Sequence, residues 1–273
     1  MNLIEVVARR TKQALNLSDD SPLVCAIRPR YDSVLQQLYG RSGLSRTIHG
    51  EEPIRLLPCA RLIPEEYEPA VFSLLKRTIK PGSVILDVGA NVGVLAIFMA
   101  RWAGTGGHVH AFEPSPTPKQ ILIEHLRLNG VSSRVTVCPL ALSDVEGETM
   151  FYAVGISGKS ALSNVNIGRE AEQFQVPVTT IDAYCRSLNI KPSLIKIDVE
   201  GFEFSVLNGA RNTLKEFRPS VLIELHPMNW PALGIDPHWA AAQLAELNYT
   251  VSAVEKQTDI FSEHAHVMLE PIE

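Results

Sequence analysis

Eight residues, Leu86-Asp-Val-Gly-Ala-Asn-Val-Gly93, constrain this chain more than any other stretch. An apolar run of strand character (83–88) leads into them, and an apolar run of helix character (GVLAIFMARW, 93–102) leads out. A strand that passes into a helix through such a turn needs Gly89 for the tight bend. It needs Gly93 so that the helix starts close to the strand. In an open α/β sheet, ligands bind beside such turns, at the carboxyl ends of the strands. The alternation continues along the chain: strands HVHAFE, VTVCP, LIKID and SVLIELH, helices over 115–128, 204–217 and 237–247, and a closing strand pair, YTVSAV and HVMLE. Strands and helices alternating at this spacing imply a parallel sheet covered on both faces.

The 273 residues allow one α/β domain with an appendage, and 45% hydrophobic against 20% charged residues supports a sizeable core. The natural division is an N-terminal extension, 1–63, expected to cap the substrate or mediate oligomerisation, and a catalytic domain, 64–273. In the extension, helices are expected over 3–15 and 33–39, a chain break at 18–22, and a hairpin over 47–57 about Gly50. A helix should start at Pro64, with Glu65, Glu66 and Glu68 near its positive end. The longest near-apolar stretch, 84–100, is interrupted by Asp87 and Asn91, so no bilayer span is expected. The N-terminus lacks the apolar core of a signal peptide. Cys25, Cys59, Cys138 and Cys185 form no CxxC pair and read as free thiols. A cytoplasmic protein is therefore expected. Residues 1–83 carry twelve Lys and Arg against nine Asp and Glu; the remainder carries thirteen against twenty-one. An acidic main body argues against a nucleic-acid-binding face.

Glu113 ends the second strand, 20 residues after Gly93. An acid at that place accepts hydrogen bonds from both ribose hydroxyls of a nucleotide cofactor. A dinucleotide fingerprint would need glycine at position 91, where this chain has Asn, and Asp87 would repel a pyrophosphate. The same Asp87 suits a cationic amine. Ribose, amine and no phosphate describe S-adenosylmethionine better than NAD. Its adenine should lie near Leu140, Ala141 and Leu142, with Ser143 and Asp144 at the edge. The expected cofactor set is Asp87, Gly89, Asn91, Gly93, Glu113, Ala141 and Asp144.

Two further blocks bring chemistry to the same edge of the sheet. Ile195-Lys-Ile-Asp-Val-Glu-Gly201 puts Asp198 at the end of the fourth strand and Glu200 in the turn. Val221-Leu-Ile-Glu-Leu-His226 puts Glu224 and His226 on one face of the fifth. Three carboxylates and a histidine at adjacent strand ends are costly unless they work.

DVGANVG, AFEPSP, ALSD, VTTID, LIKIDVEGFEFSVLNGA and VLIELHP, in that order, resemble the FkbM family of S-adenosylmethionine-dependent methyltransferases. The resemblance runs from about Glu65 to His226. It implies the class I methyltransferase fold, a Rossmann-like seven-stranded, mostly parallel sheet of order 3-2-1-4-5-7-6 with the seventh strand antiparallel. It also implies methyl transfer to hydroxyl oxygens of sugars, polyketide rings and related small metabolites.

Methyl transfer from a sulfonium mainly needs alignment, and an alcohol acceptor must also lose its proton. His226 is the expected general base, with Glu200 or Glu224 orienting or replacing it, and Asp198 positioning the methionine end or the acceptor. A less favoured arrangement places Mg²⁺ on Asp198, Glu224 and His226, although His weakens the case for that ion. Outside O-methylation, the same residues are compatible with an N-methyltransferase, a nicotinamide-dependent oxidoreductase or a non-catalytic cofactor-binding protein. The Gly/Ser/Asn-rich segment 151–175 is expected to close over the acceptor.

Overall fold

The computed structural model describes residues 3–16, 18, 21–153, 162, 171–256 and 259–272. Two helices open the chain, α1 (Leu3–Ala14) and α2 (Pro22–Tyr39), followed by the strands β1 (Leu44–Arg46) and β2 (Ile54–Leu56). Of the break expected at 18–22, residues 19 and 20 lie outside the described residues. α2 starts at Pro22 and not at Ser33. Ser21 caps it by accepting from the Val24 N–H, Pro22 sits in the first turn where no N–H is missed, and Pro29 is accommodated inside. β1 and β2 pair antiparallel, Leu44 opposite Leu56, so the expected hairpin is present and spans 44–56.

The helix expected from Pro64 begins later. α3 covers Pro69–Thr78, and Glu68 precedes it in a left-handed conformation with φ 44°. Then follow β3 (Val84–Val88), α4 (Val94–Ala103), β4 (His108–Phe112), α5 (Pro116–Leu128), β5 (Val135–Cys138) and β6 (Ala141–Leu142). Next come β7 (Gly147–Ala153), β8 (Glu172–Thr179), α6 (Ile181–Leu188), β9 (Leu194–Ile197), α7 (Glu203–Asn208) and α8 (Arg211–Phe217). The chain closes with β10 (Ser220–Leu225), α9 (Pro237–Ala245), β11 (Tyr249–Ala253) and β12 (Ala265–Pro271). The single helix expected over 204–217 is two, broken at Gly209-Ala210.

The main sheet has seven strands in the order β11-β12-β10-β9-β3-β4-β5. Numbered along the chain within this sheet, the order reads 3-2-1-4-5-7-6 from the β5 edge. β3, β4, β5, β9 and β10 run parallel; β12 is antiparallel to both β10 and β11. A smaller sheet, β6-β8-β7, holds β7 and β8 as an antiparallel pair from Gly147 opposite Val178 to Ala153 opposite Glu172. The segment expected to be a long loop therefore begins and ends as a hairpin. Of its tip, 154–161 and 163–170 lie outside the described residues.

The apolar core divides by strand face. Ile85, Val109, Leu194, Leu222 and Met268 pack with α3, α4 and α5. Leu86, Val88, Ile195, Ile197, Val221, Ile223, Val267 and Leu269 pack with α6 to α9. The N-terminal hairpin belongs to the first of these cores, since Ile48, Ile54 and Leu56 are fully buried in it. It is also hydrogen-bonded to α5, where Leu57 N–H donates to His125 Nε2 at 2.8 Å and Arg55 N–H to Asn129 Oδ1 at 2.9 Å. His125 Nδ1 lies 2.7 Å from the Val92 carbonyl oxygen. A buried ion pair between Arg46 and Glu5 ties α1 to β1. Cys25, Cys59, Cys138 and Cys185 are free thiols. No helix among the described residues is long and apolar enough to cross a membrane.

Candidate active site

The Gly89 turn joins the end of β3 to the ends of its neighbours. Gly89 and Ala90 N–H both donate to the Phe112 carbonyl, at 3.1 and 3.0 Å, and Asp198 N–H donates to the Val88 carbonyl at 3.0 Å. Gly89 has φ 85°, and a Cβ there would lie 1.8 Å from the Asp198 carbonyl oxygen. Gly93, φ 81°, starts α4 where a Cβ would meet Leu122 of α5 at 2.1 Å. Both glycines thus answer a steric demand, the first from a neighbouring strand end and the second from a packed helix.

A cleft opens beside this turn. Gly89, Asn91, Glu113, Leu140, Ala141, Leu142 and Asp198 line it, all anticipated in the sequence. Phe151 of β7 and Leu162 add an apolar wall from the hairpin. Asp87 and Asp144, expected to touch the cofactor, do not line the cleft. Asp144 is exposed and accepts from the Ser143 hydroxyl at 3.1 Å. Asp87 is buried behind the turn, its side chain on the opposite side of β3 from Leu86 and Val88. Burial raises its carboxyl to about 6, partly opposed by Lys196.

Glu113 accepts from the N–H groups of Asn91 at 2.9 Å and Ser115 at 2.8 Å. It therefore braces the turn as well as facing the cleft. Burial outweighs those bonds and raises its carboxyl to about 7. The Asn91 Oδ1 atom is buried without a hydrogen-bond partner among the described residues. A cofactor with hydroxyls and amine groups fits this lining: Glu113 has lone pairs to spare, and Asn91 offers an unsatisfied acceptor.

The catalytic candidates occupy the next strand ends, on the sheet face that holds Ile85, Leu222 and Met268. Two residues further along each strand, that face turns from apolar to charged. Asp87 stands opposite Lys196 in the β3–β9 register, and Glu224 opposite His266 in the β10–β12 register. Lys196 is buried, and its ammonium lies 3.1 Å from Asp198 Oδ2. Burial alone would lower its pKa, but Asp198, Asp87, Glu68 and Glu224 outweigh that and hold it above its ordinary value.

His226 is buried at the end of β10, and its Nδ1 lies 2.7 Å from Glu203 Oε1. Its Nε2 lies 3.6 Å from Glu200 Oε2 and 3.5 Å from Glu224 Oε1. Burial alone would push the imidazole down, but Glu203, Glu224 and Glu200 raise it to about 11. With three carboxylates around it favouring the protonated ring, His226 is poorly placed for the expected role of a general base near neutrality. Asp198, Glu200 and Glu224 are brought together with His226 as expected, and Asp198 Oδ2 lies 3.1 Å from the Lys196 ammonium.

Lys196, Glu203, Glu68, His264 and His266 were missed. Glu203, fully buried, also accepts from Gly201 N–H at 2.8 Å and from the Trp230 indole at 3.3 Å. His264 Nε2 lies 2.5 Å from Glu224 Oε1, and His266 Nε2 lies 3.4 Å from Glu224 Oε2. Lys196 and Glu203 sat inside a motif already singled out, and alternation along LIKID was the signal for the lysine. For the two histidines no local signal existed, because their neighbour in space is about 40 residues away in the chain.

A glycine turn after the first strand, a strand-end acid after the second and a sheet of order 3-2-1-4-5-7-6 define a class I, S-adenosylmethionine-dependent methyltransferase fold. The profile of the methyltransferase FkbM domain matches residues 87–261, nearly two thirds of the chain. The chain belongs to the FkbM methyltransferase family. Its match extends beyond His226 into β11 and the connection that follows. Among its relatives, the hexuronic acid methyltransferase AglP of Haloferax volcanii is 28% identical over 204 residues, covering 70% of this chain and 74% of that protein. The 31-O-demethyl-FK506 methyltransferase FkbM of Streptomyces tacrolimicus is 29% identical over 182 residues, covering 55% of this chain and 68% of that protein. A solved FkbM methyltransferase from Methylobacillus flagellatus KT superposes with a TM-score of 0.47 at 17% identity, over 74% of this chain and 58% of that one.

Proposed function

We propose that this enzyme transfers a methyl group from S-adenosylmethionine to a hydroxyl oxygen of a small polyhydroxylated acceptor of sugar or polyketide type. The observation that carries the reading is the juxtaposition of the Gly89–Glu113 cleft with the charged strand ends of β9 and β10. The names of the two relatives, one acting on a hexuronic acid and one on a 31-O position, favour oxygen as the acceptor.

When bound, S-adenosylmethionine supplies an electrophilic methyl group with a good leaving group already attached. Glu113 accepts from the ribose hydroxyls while keeping its bonds to the turn. Gly89 lets the backbone approach closely, and Ala141 and Leu142 flank the adenine. Asp198, fixed by Lys196, marks the boundary between cofactor and acceptor. Glu200 follows Val199, a residue of the cleft wall, and is the proposed acceptor of the hydroxyl proton. His226 faces Glu200 and Glu224 and holds them in place. Residues 1–63 are proposed to frame the acceptor.

The test is a screen of uronic acids, neutral sugars, hydroxylated polyketides and a structured RNA for cofactor-dependent gain of one methyl group, with the product atom assigned by NMR. An O-methylated sugar or polyketide supports the reading. An N-methylated product, or methylation of RNA alone, replaces it. Thermal shifts with S-adenosylhomocysteine and with NAD separate the cofactors in the same protein preparation.

A further inference from the structure

Glu224 is surrounded on three sides by imidazole. His226 and His264 approach its Oε1 at 3.5 and 2.5 Å, and His266 faces its Oε2 at 3.4 Å. The rings are close to one another too, with centroids 5.2 Å apart for His226–His264 and 5.3 Å for His264–His266. A single lysine among the described residues, Lys196, faces the carboxylates Asp198, Asp87, Glu68 and Glu224. Such an arrangement has a surplus of lone pairs pointing at one spot.

We propose that Glu224, His226 and His264 form a binding site for a nitrogen-preferring divalent metal ion of the Zn²⁺ class. One ligand atom from each of the three lies within 4.8 Å of the others. Ligand atoms around a tetrahedral Zn²⁺ stand about 3.3 Å apart, given bonds near 2.0–2.1 Å, so small side-chain rotations close the set. His226 is already oriented as a metal ligand is. Its Nδ1–H is engaged by the buried Glu203 carboxylate at 2.7 Å, which turns Nε2 toward Glu224 and Glu200. A carboxylate behind a ligating histidine fixes tautomer and ring angle in metal sites. Glu203 is held in turn by Gly201 N–H and Trp230.

A second observation points to the same place. Among the described residues, Glu68 Oε2 and His266 Nε2 are buried side-chain atoms that complete no hydrogen bond, the second having only the 3.4 Å approach to Glu224 Oε2. Glu68, His266 and Glu224 also present ligand atoms within 4.8 Å of one another. A dication beside Glu224 would satisfy both from within the cluster. Two imidazole nitrogens and one carboxylate suit Zn²⁺, Co²⁺ or Ni²⁺, whereas Mg²⁺ prefers all-oxygen sets. Three protein ligands leave positions open beside Glu200, where an acceptor oxygen would bind. That last role rests on the methyl-transfer reading; the binding of the ion does not.

The experiment uses tag-free, full-length protein treated with chelator and dialysed. Co²⁺ is titrated in while the visible absorption of the ion is followed, and Zn²⁺ is then added to displace it. One equivalent of Co²⁺ should bind, with the intense spectrum of a four- or five-coordinate site, and should be released by Zn²⁺. Glu224→Gln and His264→Ala should each weaken binding at least tenfold. His264 is 43% exposed, so its removal spares the fold even if changes at buried His226 do not. His238→Ala, on exposed surface, should leave the titration unchanged. No Co²⁺ spectrum, or one that survives both Glu224→Gln and His264→Ala, overturns the proposal. So does a thermal shift with Mg²⁺ but none with Zn²⁺ or Co²⁺. S-adenosylhomocysteine binding to the same metal-free sample reports on the cofactor cleft separately.

Discussion

Glu113 has two duties at one carboxylate: it braces the turn through Asn91 and Ser115 N–H, and it faces the cleft. Its carboxyl, raised to about 7 by burial, gains a proton as pH falls below neutrality. Two ribose donors would favour the ionised form, so binding should release a proton in that range. Affinity for S-adenosylhomocysteine is then expected to be about tenfold tighter at pH 8 than at pH 6. Calorimetry in two buffers of different ionisation heat checks both the slope and the proton. Glu113→Ala should weaken binding at pH 8 by roughly 1–3 kcal/mol and flatten the slope. It should also lower the melting temperature, because two backbone donors lose their partner. Glu113 and Gly89 were legible in the sequence because each answers a local demand at the end of a strand. Lys196, His264 and His266 were not, because only strand register places them beside Asp87 and Glu224.

At the scale of elements, the β3 turn and the end of β9 touch through a space that only glycine permits. Gly89→Ala would put a methyl group 1.8 Å from the Asp198 carbonyl oxygen, and no flexible side chain is there to yield. Gly82 is a control with nearly the same backbone, φ 87° against 85°, and a Cβ on it would meet nothing within 4 Å. Gly82→Ala should cost roughly 1–2 kcal/mol, the strain of a left-handed residue, and leave cofactor binding intact. Gly89→Ala should cost more and abolish binding; urea denaturation and calorimetry on the pair decide it. The strands of the main sheet were readable because each is a short apolar run closed by a polar residue. Helix starts were less so. Pro29 concealed the first half of α2, whose true start is the Ser21 cap, and three glutamates before α3 suggested a helix that begins only at Pro69. The β7–β8 pair was hidden by the long Gly/Ser/Asn-rich stretch between its arms.

For the molecule as a whole, the division at residue 63 cuts through a shared core. Ile48, Ile54 and Leu56 lie with Ile85, Phe98 and Val109 in one apolar cluster. Leu56→Ala should therefore destabilise the entire protein by about 2–5 kcal/mol in urea denaturation, as for any fully buried leucine. Leu38→Ala, at a position 57% exposed on α2, should change stability by no more than about 0.5 kcal/mol. Equal effects of the two would return the hairpin to the status of a loose appendage. The sequence concealed this membership because short strands of three residues bury only alternate positions.

His125 joins that hairpin to the cofactor turn, and the two backbone groups it touches dictate its chemistry. A carbonyl only accepts and an N–H only donates, so the ring must carry its proton on Nδ1 toward Val92 and keep its lone pair on Nε2 for Leu57. A second proton has no place, and burial accordingly lowers the ring to about 4. The clasp is whole above the unfolded value near 6.5 and is undone as pH falls toward 4. One imidazole in one tautomer thus works as a dowel: a shift of the hairpin at Leu57 is delivered, through a rigid ring, to the backbone of the Gly89–Gly93 turn.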